Sequence, residues 1–572
     1  MVKKIIKRGR DFLFSQQTSV FSAATIIMLM VIISRVLGLI RQRTLAMFFT
    51  PGELALFFAA FRLPDLIFEV LVFGTFSSAF IPVFTKSLKK GNGHAWDIAG
   101  SVTNIGLLIF ALLAFIVIVF ADHLYGILAP GFAAENREQI VFVSRILFAA
   151  QGFFVISYVL TAVLESSRRF FVPAIAPLFY NLGIILGTLF LSKPLGLLGP
   201  TLGVVFGAAA HFLIQLPFAI KLGYRFSLRI RITDEVKKIG RLAFPRVIEV
   251  TFLQFAKSAE LFLASFLSTA SYTYFTFGNS IQLIPVGLFG TSIAKAALPT
   301  LSRQSDSTEE FKKTLFNALN QTAFLILPVA SILIVLRIPI VRLIFGTDIF
   351  GWEATVQTGM VVSAFGFGVL FQATAALLAR AFYALHDTRT PVIVSVLSIT
   401  LNILVDFILI KGFGLPAWGL AAAFSLASFV QTIMLVVLLN KKISLEISRW
   451  VIKPLSKAVI ASTTSGVAMY FMLKVFDKSV WVKRLSFFGR LDFGRSIPFE
   501  KFVLDTRYTV NLLILTTFVI LAGMVVYFLA SFLLKSDELK FFTSIIKRNI
   551  FLRKITPPLS GESEPISTID KI

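Results

Sequence analysis

The stretch IIMLMVIISRVLGLIRQRTLAMFF, residues 26–49, has the length and apolarity of a membrane-spanning helix, yet it carries Arg35, Arg41 and Arg43. An arginine at bilayer depth costs from about 3 to over 10 kcal/mol, depending on the reference state, so it faces protein or trapped water rather than lipid. A span that keeps such residues belongs to a bundle with a polar cavity. That reading decides the fold class, an all-α polytopic membrane protein.

Composition agrees. The chain has 572 residues, 56% of them hydrophobic and 15% charged, which exceeds the apolar fraction of soluble domains. It contains no Cys and four scattered His, which excludes disulfides and thiolate chemistry and argues against a zinc site. The net charge of +25 fits cytoplasmic loops and anionic headgroups rather than nucleic acid. The amino terminus, MVKKIIKRGRDFLFSQQ, is basic without a small-residue cleavage site and reads as a retained cytoplasmic flank. No Gly-rich phosphate loop, nucleophile elbow or paired-carboxylate constellation appears, so the sequence does not read as an enzyme.

Apolar runs of about 20 residues or more predict fourteen spans. Six lie near 20–48, 54–85, 97–120, 138–163, 171–191 and 196–220. Six more lie near 239–268, 272–300, 312–336, 354–385, 391–410 and 416–439, followed by two at 455–474 and 509–534. Basic clusters alternate as the positive-inside rule requires. They fall at Lys3, Lys4, Lys7, Arg8 and Arg10, at Lys86, Lys89 and Lys90, at Arg168 and Arg169, and from Lys221 to Lys238. They recur at Arg303, Lys312 and Lys313, at Lys441, Lys442 and Arg449, and at Lys535, Lys540, Lys547 and Arg548. Both termini are expected in the cytoplasm. The polar loop 475–508, with Lys483, Arg484, Arg490 and Arg495, is the exception to the alternation.

A repeat recurs at an offset of about 217 residues: FGTFSSAFIPVF at 73–84 resembles FGTSIAKAALPTL at 289–301, and Pro173 and Pro391 occupy corresponding places. An even number of spans preserves topology, so two parallel six-helix lobes are expected around a central cavity, the usual substrate position in transporters. The divisions are a basic flank at 1–19, an N-lobe at 20–222, a C-lobe at 223–440, two further helices with the polar loop at 441–534, and a basic cytoplasmic tail at 535–572.

Arg35 lies near mid-span, with Arg41 and Arg43 further along and Gly38 placed to let the helix unwind toward a cavity. Arg35 and Arg43 are about 80° apart on an ideal helix, with Arg41 further round. Arg62 adds a guanidinium, followed by Asp65 and Glu69. Arginine suits phosphate because its planar fork donates two parallel hydrogen bonds and stays charged when desolvated. The alternative is that Arg41 and Arg43 snorkel to the interface and Arg62 pairs with Asp65 or Glu69. Lys257 and Glu260, three apart on one helical face, read equally as a self-neutralised pair or as part of a site. Lys295 is a cavity cation or a snorkelling lysine. Asp406 reads as interfacial.

The motifs SRVLGLIRQRTLA, FFAAFRLPDLIFEVLVFGTFSSAFIPVF, IQLIPVGLFGTSIAKAALPTLSR and LARAFYALHDTRTP together resemble the MviN/MurJ family of lipid II flippases, within the multidrug/oligosaccharidyl-lipid/polysaccharide exporter superfamily. The resemblance runs from about residue 20 to 440. It implies fourteen helices, with two six-helix lobes around a cavity and two helices forming a groove. It also implies transport of undecaprenyl-diphosphate-linked disaccharide pentapeptide from the inner to the outer leaflet of the bacterial cytoplasmic membrane. Arg35, Arg41 and Arg62 match the family's cavity cations, with Lys257 and Lys295 as further candidates; Arg43, Asp65, Glu69 and Glu260 are candidates for gating or pairing. No cofactor is expected beyond coupling to membrane potential or ions. Membrane lipids and cell-wall synthesis proteins are the expected partners besides lipid II. The chain departs from the family pattern at Asp65, Phe68, Glu69 and Phe73, and at Gly278, Asn279 and Ser280, where several charges are replaced. A flippase for another polyprenyl-diphosphate glycan, a multidrug exporter with an acidic cavity, and a transport-inactive scaffold are the competing readings.

Overall fold

The computed structural model describes residues 20–73, 79–90, 92–444, 451–478 and 503–543. The basic flank 1–19, most of the 475–508 loop and most of the 535–572 tail lie outside them. The described residues are mostly helical, with one isolated bridge between Asp477 and Leu504. Eleven helices among them are long and apolar enough to cross a membrane.

The first half comprises α1 (Val20–Phe48), α2 (Pro51–Ala60), α3 (Arg62–Phe68), α4 (Ile81–Lys90), α5 (Asn92–Val119), α6 (Ala121–Leu128), α7 (Ala134–Ser166), α8 (Phe171–Leu195) and α9 (Leu198–Lys221). The second comprises α10 (Asp234–Ser265), α11 (Ser271–Pro285), α12 (Ser292–Arg303), α13 (Thr308–Val335), α14 (Arg337–Phe345), α15 (Trp352–Ala384), α16 (Arg389–Phe407) and α17 (Trp418–Ile443). α18 (Lys453–Phe476) and α19 (Thr509–Leu533) pack on each other and against α13.

Three expected spans are not among the eleven. The run 20–48 forms one helix, α1, which carries the three arginines. The run 239–268 lies within α10, which carries Lys257 and Glu260. The run 54–85 is broken: α2 ends at Ala60, α3 starts at Arg62 and a π-helical turn follows at Glu69–Phe73. Pro64 causes the break, because it has no N–H to give the Ala60 carbonyl four residues back. Tyr125, fully buried, donates its hydroxyl to that carbonyl at 2.8 Å instead. A second π-helical turn, Val286–Thr291, follows Pro285. Its start is 217 residues from the first (286 less 69), the spacing of the sequence repeat.

Close helix contacts rest on small residues, as in other membrane bundles. Gly183 and Gly187 of α8 face Gly199, Gly203 and Gly207 of α9; a Cβ on Gly183 would lie 2.5 Å from Gly207 Cα, and one on Gly187 2.6 Å from Gly203 Cα. The two halves are tied together at one end of the bundle. Thr273 donates to Pro51 O at 2.6 Å, Thr347 to Ala46 O at 2.7 Å, and Gly131 N to Ser265 Oγ at 3.1 Å. Large apolar side chains cover the outward faces, among them Phe115, Phe190 and Phe206, each more than half exposed, as contact with lipid tails requires.

Candidate functional site

Two adjoining cavities lie between the halves. The open one, about 650 Å³, is lined by Arg35, Arg41 and Gln42 of α1, Glu165 of α7, Tyr180 and Asn181 of α8, and Ser280 of α11. The deeper one, about 290 Å³, is lined by Arg41, Arg62, Asp65, Phe58, Tyr180 and Tyr272. Arg41 therefore reaches both. α1 runs unbroken through Gly38, so the expected unwinding there does not occur.

The side chains differ in how they are held. Arg35 is exposed in the mouth. The Arg41 Nε is buried with no hydrogen-bond partner, a donor held free inside a polar cavity. Arg62 is 6% exposed, and its Nη2 donates to Gln254 Oε1, while Gln254 Nε2 donates to Glu69. Lys257 Nζ reaches both Glu69 oxygens at 3.2 and 3.3 Å. Asp65 accepts from Gln151 Nε2 at 2.7 Å. Arg62, Glu69 and Lys257 thus form one relay across the two halves, with Gln254 as its neutral centre.

This geometry corrects two pairings expected from spacing. Lys257 binds Glu69 of the other half rather than Glu260, three residues away on its own helix. Arg62 is linked to Glu69 through Gln254, which accepts from the one and donates to the other. Arg43 lines neither cavity; its Nη1 donates to the Leu343 and Ile344 carbonyls at 2.8 and 3.2 Å, closing the end of α14. Half-buried Glu260 also lines neither. Lys295 is exposed on α12, away from both cavities. Asp406 is fully buried rather than interfacial, and accepts from Asn402 Nδ2 at 2.9 Å.

Sequence reading missed the glutamines. Gln42, Gln151 and Gln254 are each at most 5% exposed, and each bonds across helices; Gln42 Nε2 donates to Ser280 Oγ at 2.6 Å. The available signal was an amide inside an apolar run, where a polar group needs a partner. Glu165 was also missed, and as an acid in the mouth it offsets part of the charge of Arg35 and Arg41. The arrangement can bind a multiply charged anion whose oxygens take the free arginine donors and whose polar groups meet Gln42, Asn181 and the tyrosine hydroxyls.

Comparison with known proteins places these features in context. A family model described as lipid II flippase MurJ matches residues 44–489. A probable lipid II flippase MurJ of Vibrio cholerae is 30% identical over 430 residues, covering 72% of this chain and 81% of its own. Its counterpart in Thermotoga maritima is 28% identical over 508 residues, covering 89% and 95%. Among solved structures, a lipid II flippase MurJ in an inward closed conformation superposes with a TM-score of 0.71 at 24% identity, covering 92% of this chain and 99% of that one. An inward-facing MATE multidrug transporter superposes at 0.61 with 14% identity, covering 72% and 94%.

Proposed function

Because the chain belongs to the lipid II flippase MurJ family, we propose that it moves lipid II from the inner to the outer leaflet of the bacterial cytoplasmic membrane for peptidoglycan synthesis. α1, the broken α2–α4 segment and α10 join the eleven apolar helices to make fourteen spans, in an N-lobe (20–222), a C-lobe (223–440) and a final pair (441–534). With both termini in the cytoplasm, the tied end of the bundle faces outward and the mouth at Arg35 faces the cytoplasm.

The observation that carries the reading is Arg41, which lines both cavities with a buried, unpartnered Nε. Arg35 would meet the diphosphate at the mouth, Arg41 would carry it inward and Arg62 would receive it in the deeper cavity. A diphosphate supplies the acceptors these donors lack, and the polyprenyl tail stays in lipid while the headgroup crosses. Lys257 lines neither cavity, so Arg62 is the end of the relay a phosphate can reach; drawing Arg62 toward phosphate would loosen the relay to Glu69 and free the lobes to part, the step alternating access requires. Cavity charge moving through the membrane field is worth about 2.3 kcal/mol per charge per 100 mV, which can set the direction.

The test uses cells depleted of their own lipid II flippase and expressing this chain, with lipid II at the outer surface read by an impermeant probe. Wild-type chain should restore accessibility; Arg41→Ala should remove it with the protein still inserted, and Arg43→Ala should retain most of it. Equal accessibility in wild type and Arg41→Ala would overturn the assignment.

A further inference from the structure

The C-terminal half carries a third cavity, about 580 Å³, which shares no residue with the two at the site. It lies where α15 and α17 run side by side. Their approach depends on Gly368, whose Cβ would fall 2.4 Å from Ser425 Oγ. Ser425 and Thr432 donate across the seam to the Ala364 and Phe371 carbonyls at 2.8 and 2.9 Å. Small side chains, Ala364, Ala422 and Ser425, line the seam, and Phe367 and Phe429 stand beside it, 64% and 39% exposed. The result is an apolar furrow open along its length to whatever surrounds the bundle, and within the size range of small-molecule sites.

One end of the furrow is not apolar. Arg337 lines it, together with Trp418. These residues open α14 and α17, so they sit at one end of the bundle, at the depth where Trp favours the membrane interface. Arg337 donates Nη1 to Ile334 O at 2.9 Å and has no ion pair among the described residues. No acidic residue lines the furrow. A guanidinium has five N–H donors, so most of this one remains for a ligand, and its planar fork matches phosphate.

We propose that this furrow is a binding site for an anionic phospholipid, with one acyl chain along the α15–α17 seam and the phosphate on Arg337. The absence of a carboxylate in the lining disfavours a headgroup that carries its own ammonium, so an anionic lipid is selected over a zwitterionic one. The site stands apart from the transport cavity and does not depend on the substrate assigned above.

The test is native mass spectrometry of the delipidated full-length chain titrated with phosphatidylglycerol or phosphatidylethanolamine. Wild type should retain phosphatidylglycerol about tenfold more strongly, the factor that 1.4 kcal/mol of charge-assisted bonding supplies. Arg337→Gln should remove the preference, Arg337→Lys should keep part of it, and Ala422→Trp, which fills the seam without touching the charge, should lower retention of both lipids. Equal retention of the two lipids by wild type, or an unchanged preference in Arg337→Gln, would overturn the proposal. So would displacement of bound phosphatidylglycerol by equimolar undecaprenyl phosphate, which would give the furrow to a polyprenyl chain instead.

Discussion

Replacing Gln254 by Leu tests the relay that joins the two halves. Gln254 is 1% exposed; its carbonyl accepts from buried Arg62 and its amide donates to Glu69. Leucine preserves the volume approximately but removes both bonds. Each hydrogen bond to a charged group contributes about 1.5–3 kcal/mol, so the pair accounts for about 3–6 kcal/mol. Glu69 keeps Lys257, a pair with side chains 45% and 30% exposed and therefore worth only about 1 kcal/mol. Arg62 would be left buried without its Gln254 acceptor, the costlier half of the loss. The expected destabilisation is thus about 3 kcal/mol or more, measured by denaturant titration in micelles. Gln254→Glu should be poorly tolerated alone, since its carboxylate would face Glu69, and should recover when Glu69→Gln is added. A cost below about 1 kcal/mol for Gln254→Leu, or simple additivity of Gln254→Glu with Glu69→Gln, would refute the relay.

Other outcomes follow from single contacts. Tyr125→Phe leaves the Ala60 carbonyl buried without its donor and should cost about 1–3 kcal/mol, while also lowering lipid II exposure in the cell assay because Arg62 begins the next helix. Gly203→Leu should prevent α8 and α9 from closing, since Gly187 Cα lies 3.1 Å from where even a Cβ would sit; the readout is loss of folded protein after membrane extraction. In the loop between α15 and α16, burial pushes the Asp387 carboxyl up, but the Lys442 ammonium at 2.6 Å and the Thr390 N–H and hydroxyl outweigh it and hold it at about 2. A lowered folded-state value adds stability that is present above the unfolded value of about 3.9 and lost as pH falls through about 2. Asp387→Asn should therefore destabilise by about 1 kcal/mol near neutral pH, with the half-exposed Lys442 discounted, and the difference should fade between about pH 4 and 2. A difference that persists at pH 2 would remove the carboxylate from the explanation.

Much of this molecule is written in its residue order. Hydropathy runs are local, so they marked the all-helical membrane fold and the eleven apolar helices, and the sequence repeat recurs in the structure as two π-helical turns at the same spacing. The arginines of α1 announced a polar interior, since no lipid-facing helix keeps them. Pro64 was visible as well, yet the break it makes carries Arg62 inward only because Tyr125, sixty residues away, supplies the missing donor. The partners were not legible. Helical spacing offered Glu260 to Lys257 and Asp65 or Glu69 to Arg62, but tertiary packing brought Glu69 to Lys257 and set Gln254 between Arg62 and Glu69, and turned Arg43 toward carbonyls of α14 while Arg41 kept the cavity. Along one helix, geometry is set by 3.6 residues per turn. Across two halves of a bundle it is set by which backbones can approach, and that depends on residues hundreds of positions apart.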